Sequence, residues 1–405
     1  MSQSDLPQPD QPLSGIVVLE LAGVLAGPSA GQYLAELGAT VIKIENPRNG
    51  GDVTRSWRIE GEQVTDGRSA YFSSCNWGKQ SVAIDITAPD GLAVVEHLAK
   101  KSDVVLSSYR PGSAERLHVD HDALLRLNDR LVCVSVTGYG ADDPRSGYDA
   151  AIQAESGFMS MNGQPDGPPT KMPVALVDVL AAHHIKEEVL LGLLIRSTTG
   201  KGRSAYVSLF DAALASLANQ GAGWLQSAVE PRRMGSAHPS IAPYGTPYLT
   251  ADGHWIVLAV GTDKQFERLT SVLSLTHEAA AKGLGRNEAR VEKRAELEAL
   301  LRPAVNKLSA DDLENRLQQE AIPFSRIASV PQALSTRQAQ RLVLGEAGGP
   351  RGIRTAIGQV KRPLSPPPRF GEHSAVVLRT VLGMTDQDVA KLVAAKVLLD
   401  AGAAL

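Results

Sequence analysis

The clearest pattern in the first half of the chain is a series of short, almost continuously apolar runs separated by stretches with helical periodicity. β-branched residues are frequent in these runs, which occupy residues 15–21, 39–45, 81–86, 102–108 and 131–138. Amphipathic stretches such as 90–101 and 121–128 fall between them. Runs that are apolar on both faces are typical of strands buried in a parallel sheet, with helices as crossovers. The pattern therefore predicts an α/β layer architecture with an internal parallel sheet.

The pattern changes in the second half of the chain. A further strand and helix are predicted within 205–220, and 227–247 is then loop-like and rich in proline. The apolar run 254–260 and the helical stretch 264–273 begin another unit, and 331–370 is again irregular. A chain of 405 residues is too long for one ordinary core, which favours two domains.

Composition and charge narrow the classes of function. The net charge of −3 gives no electrostatic reason to bind nucleic acid, and the low aromatic content of 4% argues against base-stacking surfaces. The two cysteines, Cys75 and Cys133, have neither metal-ligand nor disulfide-framework spacing. The N-terminus lacks the features of a secretion signal, and no apolar run reaches the roughly 18 residues of a membrane span. We therefore expect a cytoplasmic protein.

A single carboxylate, Asp178, interrupts the apolar run VALVDVLAAHH at 174–184. A buried carboxylate is costly unless it is hydrogen-bonded, has a raised pKa or lies at the wall of a cleft. The simplest interpretation is a helix cap, because a long helix is predicted from here to about residue 198. His183 and His184 on this helix point about 100° apart, so they are poor ligands for one metal ion and packing or surface roles are favoured.

The glycine-rich turn after the first predicted strand suggests a nucleotide site. Gly23, Gly27 and Gly31 separate strand from helix, and Glu45 ends the next strand, where a ribose-binding acid would lie. The spacing is G-x-x-x-G-x-x-x-G, however, and not the G-x-G-x-x-G of dinucleotide-binding folds, so tight packing is preferred to NAD binding. TGKG at 199–202 follows the predicted helix, and we interpret it as a helix C-cap and not as a phosphate loop.

Longer motifs carry a family resemblance. They are LSGIVVLELAGVLAGPSAGQYLAELGATVIKIENP (13–47), GDVTRSW (51–57), YFSSCNWGKQSVAIDI (71–86), YRPGSAERL (109–117), VSVTGYG (134–140), GYDAAIQAESGFMSMNG (147–163), TGKGRSAYVSLFDA (199–212), MGSAHPSIAPYGTPYLTADGHWIVLAVG (234–261) and PRFGEH (368–373). In this order, and over nearly the whole chain, they resemble the class III CoA-transferases.

The resemblance implies that Asp178 is the nucleophile of a ping-pong reaction. The aspartate would attack a donor acyl-CoA, giving an acyl-aspartyl anhydride and then an aspartyl-CoA thioester, from which a carboxylic acid acceptor takes the CoA. A carboxylate at a helix start, in an apolar cleft and held by backbone donors, would stay ionised. Both intermediates hydrolyse in water, so a closed site is expected. The CoA thioester is a substrate, and neither a cofactor nor a metal is implied.

The resemblance also implies the ligand-binding positions. Those for CoA are Leu25, Ala26, Ile84, Asp85, Thr87, Ser108, Tyr109, Arg110, Arg116, Gly147, Tyr148 and Asp149. Arg116 suits a phosphate of the nucleotide and Arg110 a second one, although either could be an ordinary surface charge. Those for the acyl group or acceptor acid are Trp57, Arg232, Arg233 and His238. The last three could meet the distal carboxylate of a dicarboxylic acid such as succinate, glutarate or itaconate.

The architecture implied by the resemblance is a Rossmann-like large domain with a smaller inserted α+β domain. The large CoA-binding domain would comprise 1–225 and 331–405, and the small domain 226–330. Two such chains would interlock as a homodimer. The expected partners are an acyl-CoA and a small carboxylic acid, without nucleic acid or membrane.

Two other functions stay open. An α-methylacyl-CoA racemase would need a second proton-transfer group, and the histidine that racemases carry is replaced here by Tyr148, which is not basic near neutral pH. A CoA-binding protein without catalysis would not need Asp178. Substitution of Asp178 by alanine would separate the latter possibility from an enzyme.

Overall fold

The computed structural model describes residues 11–63, 66–356, 358 and 362–402. Its strands are β1 (Val17–Leu21), β2 (Thr40–Glu45), β3 (Lys79–Ile84), β4 (Val104–Ser107), β5 (Val132–Thr137), β6 (Arg203–Ser208), β7 (Tyr244–Leu249), β8 (Trp255–Ala259), β9 (Phe324–Arg326), β10 (Val343–Leu344), β11 (Gly352–Ile353) and β12 (Leu398–Leu399). Its helices are α1 (Ala26–Glu36), α2 (Ala70–Ser73), α3 (Pro89–Lys101), α4 (Ser113–Arg116), α5 (His121–Leu127), α6 (Asp149–Glu155), α7 (Phe158–Met161), α8 (Leu176–Thr199), α9 (Leu209–Ala215), α10 (Ala218–Ser227), α11 (Asp263–Val272), α12 (Thr276–Ala281), α13 (Asn287–Glu292), α14 (Arg294–Val305), α15 (Ala310–Gln319), α16 (Val330–Ser335), α17 (Arg337–Gln340), α18 (Ser374–Leu382) and α19 (Asp386–Ala394).

Contacts divide the chain into two compact units. The first comprises residues up to 156, 173–222 and 337–405, and the second comprises 157–172 and 223–336. Residues 157–172 fall within the range expected for the large domain, yet they pack in the second unit. The reason is local pairing with the chain that follows residue 223, since the Gly235 N–H donates to the Gly163 carbonyl at 2.9 Å.

A seven-stranded sheet forms the centre of the first unit. Its strand order is β12-β3-β2-β1-β4-β5-β6, and all pairs are parallel except β12 with β3. The predicted parallel sheet is therefore confirmed, with an antiparallel strand added at one edge. The order 3-2-1-4-5-6 is that of doubly wound folds, and it reverses direction between β1 and β4. Loops at the carboxyl ends of these two strands diverge and open a crevice.

The interior of this sheet explains the continuous apolar runs. Val18 of β1 lies between Val41 of β2 and Val104 of β4, and all three side chains are fully buried. Helix α8 packs closely on β5 because Gly192 has no side chain. A Cβ at that position would lie 2.4 Å from a methyl group of Val132.

Helix α8 is the longest in the first unit and ends as the sequence predicts. It runs for 24 residues, and Gly200 follows in the left-handed conformation at φ 75°. The Gly200 N–H donates to the Arg196 carbonyl at 2.9 Å. The TGKG segment is thus a helix C-cap, and the prediction is confirmed.

The second unit is a small α+β body. Strands β7, β8 and β9 form an antiparallel sheet, against which helices between α11 and α15 pack through Phe266, Leu301 and Leu313. Thr262 and Gln265 form a capping box at the start of α11. Arg290 is fully buried and donates to the Ala242 carbonyl at 2.6 Å.

Candidate active site

A cavity of about 320 Å³ opens at the carboxyl edge of the sheet, where the strand order reverses. The loop after β1 forms one wall, the ends of β4 and β5 form the floor, and the first turn of α8 closes it. Seven of the residues expected to bind CoA or to act as nucleophile line this cavity: Leu25, Ala26, Ser108, Arg110, Gly147, Tyr148 and Asp178. The position is the one at which doubly wound sheets bind their ligands.

Asp178 lies in the first turn of α8 and is only 8% exposed. Burial, together with the negative charge of Asp149, raises its pKa to about 7. We expected backbone donors to hold this carboxylate ionised. Among the described residues, however, neither a hydrogen bond nor an ion pair reaches it, so only its place in the first turn of α8 offsets the cost of burying its charge.

The helix cap is Asp149 and not Asp178. The N-cap position of α8 is Ala175, so Asp178 lies three residues inside the helix and the cap interpretation is wrong. Instead, the Asp149 carboxylate accepts from the Val177 N–H at 2.8 Å and from the Gln153 side-chain amide at 2.7 Å. Asp149 was expected to contact CoA. Its buried carboxylate is occupied by these two donors, although it borders the cavity through the neighbouring Tyr148.

The loop between β1 and α1 has a strained conformation. Val24 has φ 70°, in the left-handed region that β-branched residues rarely adopt. The Gly23 N–H donates to the Ser108 hydroxyl at 3.0 Å, and the Val24 N–H lies 3.3 Å from both oxygens of Asp52. Helix α1 begins at Ala26, and the first N–H groups of a helix have no acceptor within it. These donors lie beside the cavity.

Tyr71 is a site residue that the sequence reasoning missed. Burial and the charge of Asp178 raise the pKa of its phenol to about 12, so the phenol stays protonated and remains a donor. Its ring meets that of Trp57 edge to face, with 5.0 Å between ring centres. The expected substrate residue Trp57 is therefore linked to the surroundings of Asp178 through Tyr71. Tyr71 opens the motif YFSSC (71–75), which was the feature of the sequence that could have indicated it as a site residue.

The expected CoA residues outside the cavity have varied surroundings. The side chain of Ile84 is fully buried in the core, and its contact with CoA stays a prediction. Asp85 accepts from the Thr87 hydroxyl at 2.6 Å and pairs with the exposed Arg48 at 2.5 Å. Tyr109 packs on the same core, and burial raises its pKa.

The two expected phosphate-binding arginines are both exposed. Arg110 donates to the Ser146 hydroxyl at 2.9 Å, at the rim of the cavity. Arg116 donates to the Ser113 hydroxyl at 2.9 Å, within the short helix α4. Each guanidinium keeps further donors for an anionic ligand.

The remaining expected substrate residues belong to the second unit. Arg233 donates to the Ser160 carbonyl at 3.1 Å, and Arg232 is exposed. His238 accepts from the Ser240 N–H at 3.1 Å, and its ring lies against Tyr244. Their role in binding an acid stays a prediction.

No group of three or more His, Cys, Asp or Glu side chains in the described part of the chain could hold a metal ion. His184 pairs with Glu187 at 3.0 Å, and burial lowers the pKa of His183. Within the same residues, no helix combines the length and the apolar character that crossing a bilayer requires.

The fold and the cavity define a doubly wound α/β protein with a buried carboxylate at the reversal point of its sheet. Comparison with known sequences makes this specific. The sequence model of CoA-transferase family III matches residues 13–374, and the chain belongs to this family. It is therefore an enzyme, a CoA-transferase.

Individual relatives agree with this assignment. A succinate–glutarate CoA-transferase of Agrobacterium fabrum is 38% identical over 390 residues, covering 93% of this chain and 97% of the relative. The human succinyl-CoA:glutarate CoA-transferase is 31% identical over 407 residues, covering 96% and 92%. A crystal structure of a CAIB/BAIF family protein from Brucella suis superposes with a TM-score of 0.80 at 35% identity, covering 92% of this chain and 99% of that one.

Proposed function

We propose that this enzyme transfers CoA from an acyl-CoA donor to a dicarboxylic acid, with Asp178 as the nucleophile. The observation that carries the proposal is the carboxylate itself, which is buried in the cavity without a hydrogen bond and has its pKa raised to about 7. A carboxylate that lacks hydrogen bonds and is largely withdrawn from solvent is a stronger nucleophile than a solvated one.

The reaction proceeds through four displacements at carbonyl carbon. Asp178 attacks the donor thioester, the C–S bond breaks, and an acyl-aspartyl anhydride and CoA thiolate form. The thiolate attacks the aspartyl carbonyl, releasing the donor acid and leaving an aspartyl-CoA thioester. The acceptor carboxylate then attacks this thioester and releases the thiolate. In the last step the thiolate attacks the acceptor carbonyl, giving the new acyl-CoA and free Asp178.

Each displacement develops negative charge on a carbonyl oxygen. Leu25 and Ala26, at the start of α1, line the same cavity, and in the proposal their backbone N–H groups bind this charge. The phenol of Tyr71 is a further neutral donor near Asp178. In the proposal, Arg110 and Arg116 bind phosphates of CoA at the open side of the site.

The dicarboxylate preference comes from the relatives. The two relatives described above are named for succinate with glutarate and for succinyl-CoA with glutarate. A distal carboxylate requires a cation or several donors. We assign the binding of the distal carboxylate to Arg232, Arg233 and His238. Trp57 is assigned to the acyl group.

We also propose that two chains form an interlocked homodimer. Leu190, Leu191 and Leu194 on α8 are exposed in the single chain, with Leu194 63% exposed. They belong to the segment VLLGLLI (189–195), which is apolar on all faces, and such a segment is normally buried on all sides. Sedimentation or gel filtration at the mass of one 42.9 kDa chain would contradict the dimer. Cys75 and Cys133 are buried free thiols, which is compatible with the proposed cytoplasmic location.

Intact and peptide mass spectrometry after mixing with succinyl-CoA tests the chemistry. We expect a CoA or succinyl adduct on the peptide with Asp178, removed by hydroxylamine and absent in Asp178→Ala. An adduct that persists in Asp178→Ala would contradict the proposal. Absence of adducts across a panel of acyl-CoAs, together with deuterium exchange at the acyl α-carbon, would instead support the racemase alternative.

A further inference from the structure

The backbone at Val24 has an unfavourable left-handed conformation, which contacts with the rest of the protein must stabilise. A β-branched residue rarely adopts the left-handed region, because its side chain crowds the neighbouring backbone there. The strain falls between the end of β1 and the first turn of α1, and Val24 itself lines the cavity. The direction in which the next N–H groups point depends on this one turn.

Asp52 supplies the contact that holds the turn. Both of its carboxylate oxygens lie 3.3 Å from the Val24 nitrogen, although the two residues are 28 positions apart. The carboxylate is fixed on its other side by the Thr54 N–H at 3.0 Å and the Thr54 hydroxyl at 2.8 Å. The Cys75 thiol, at 3.5 Å, donates to the Val24 carbonyl.

A buried set of ion pairs fixes Asp52 in turn. Lys43 lies 3.0 Å from Asp52 and 3.0 Å from Glu20, and Lys79 lies 2.7 Å from Glu20. Burial opposes ionisation of Asp52, but Lys43 and the Thr54 donors outweigh it and hold the pKa of Asp52 below its ordinary value. The charged side chains of this network are almost inaccessible to solvent, so its geometry is rigid.

We propose that Asp52 is a positioning residue for the transfer reaction. Through the Val24 N–H it keeps the β1–α1 loop in the left-handed turn that directs the N–H groups of Leu25 and Ala26 toward the carbonyl attacked by Asp178. Asp52 does not touch the reacting atoms. The inference rests on the proposed function, because it assumes that these N–H groups stabilise the developing oxyanion.

The test combines Asp52→Ala with Val24→Gly. Asp52→Ala should lower kcat about 100-fold, the size of effect seen when one oxyanion-hole donor is lost, with a smaller change in KM for the acyl-CoA. Glycine adopts the left-handed conformation without steric cost. We therefore expect Asp52→Ala/Val24→Gly to recover at least tenfold in kcat over Asp52→Ala, with Val24→Gly alone measured as the reference for the double variant.

Asp103→Ala is the matched control for loss of stability. Asp103 accepts from the Val17 N–H at 2.8 Å and pairs with Arg196 at 2.9 Å, but it does so at the opposite end of β1. We expect Asp103→Ala to lower the melting temperature without lowering kcat. If Asp52→Ala does not fold, Asp52→Asn, which keeps the shape of the side chain, replaces it and should show a smaller loss in kcat.

Hydrogen exchange separates this inference from the proposed function. In Asp52→Ala the Val24 amide should exchange faster while the Val17 amide is unchanged. Unchanged exchange at Val24, an unchanged kcat in the folded variant, or an equal defect with and without Val24→Gly would each overturn the positioning role. Failure of the natural enzyme to form any Asp178 adduct would overturn the proposed function, whatever the exchange result.

Discussion

Removing the charge of Asp178 should stabilise the free protein above neutral pH while abolishing transfer. The carboxyl is 8% exposed, and burial with the charge of Asp149 raises its pKa from 3.8 to about 7. In the unfolded chain it ionises near its ordinary pKa. Between about pH 4 and about pH 7 the folded chain therefore holds a proton that the unfolded chain has released.

The sign and size of the effect follow from this difference. Stability from the protonated carboxyl is complete below about pH 4 and is lost as the pH rises through about 7. Each pH unit in this window lowers the free energy of unfolding by about 1.4 kcal/mol. An amide does not ionise, so the free energy of unfolding of Asp178→Asn does not fall in this pH window for this reason. The free energy of unfolding of Asp178→Asn, relative to that of the natural protein, should therefore rise by about 3 kcal/mol between pH 5 and pH 8.

Thermal melting of the free proteins at these two pH values measures the effect. We expect the melting temperature of Asp178→Asn, relative to the natural protein, to rise by several degrees at pH 8 compared with pH 5. Asp211→Asn is the control, because Asp211 holds the same third position in α9 but is exposed. An advantage that is equal at both pH values, or a lower melting temperature for Asp178→Asn at pH 8, would refute the reasoning.

Three further substitutions test other parts of the structure. Arg110→Ala should raise KM for the acyl-CoA roughly tenfold with little change in kcat. The difference in KM between the variant and the natural enzyme should shrink at high salt, which steady-state kinetics at two ionic strengths will test. Glu45→Gln breaks a bidentate pair with Arg55, at 2.7 Å for both contacts, and should lower the free energy of unfolding by about 3–5 kcal/mol in a urea titration. Gly31→Ala would place a Cβ 1.9 Å from a carboxylate oxygen of the buried ion network, so its melting temperature should fall. Gly223→Ala, whose added Cβ would meet nothing within 4 Å outside its own helix and chain neighbours, should not lower it.

Features that depend on local pattern were predictable from the sequence. The five apolar runs of the first half are strands β1 to β5, because a strand buried on both faces must be apolar along its length. The end of α8 was predictable for the same reason, since Gly200 supplies the left-handed turn. The motif that contains Asp178 also led to the cavity, because the family resemblance implied a reactive carboxylate there and the wall of a cleft was one of the positions open to it.

Features that depend on contacts between distant residues were not predictable. Asp149 caps α8 across 28 positions of the chain, and no spacing rule indicates this pairing. The contact between Asp52 and Val24 also requires the three-dimensional packing of two loops. The same limit applies to Ile84, because the packing of the whole sheet decides that its side chain lies in the core.

The surroundings of three buried aspartates assign them different roles. Asp149 accepts two hydrogen bonds and caps a helix, so its carboxylate is occupied by the protein itself. Asp52 is neutralised by Lys43 and holds the backbone of Val24. Asp178 alone among these three has neither a cation nor a donor, and it faces the cavity. An unpaired charge of this kind destabilises the free enzyme, and the cost is removed when the carboxylate is consumed in an anhydride or a thioester. The same isolation that lowers stability therefore favours formation of the covalent intermediates.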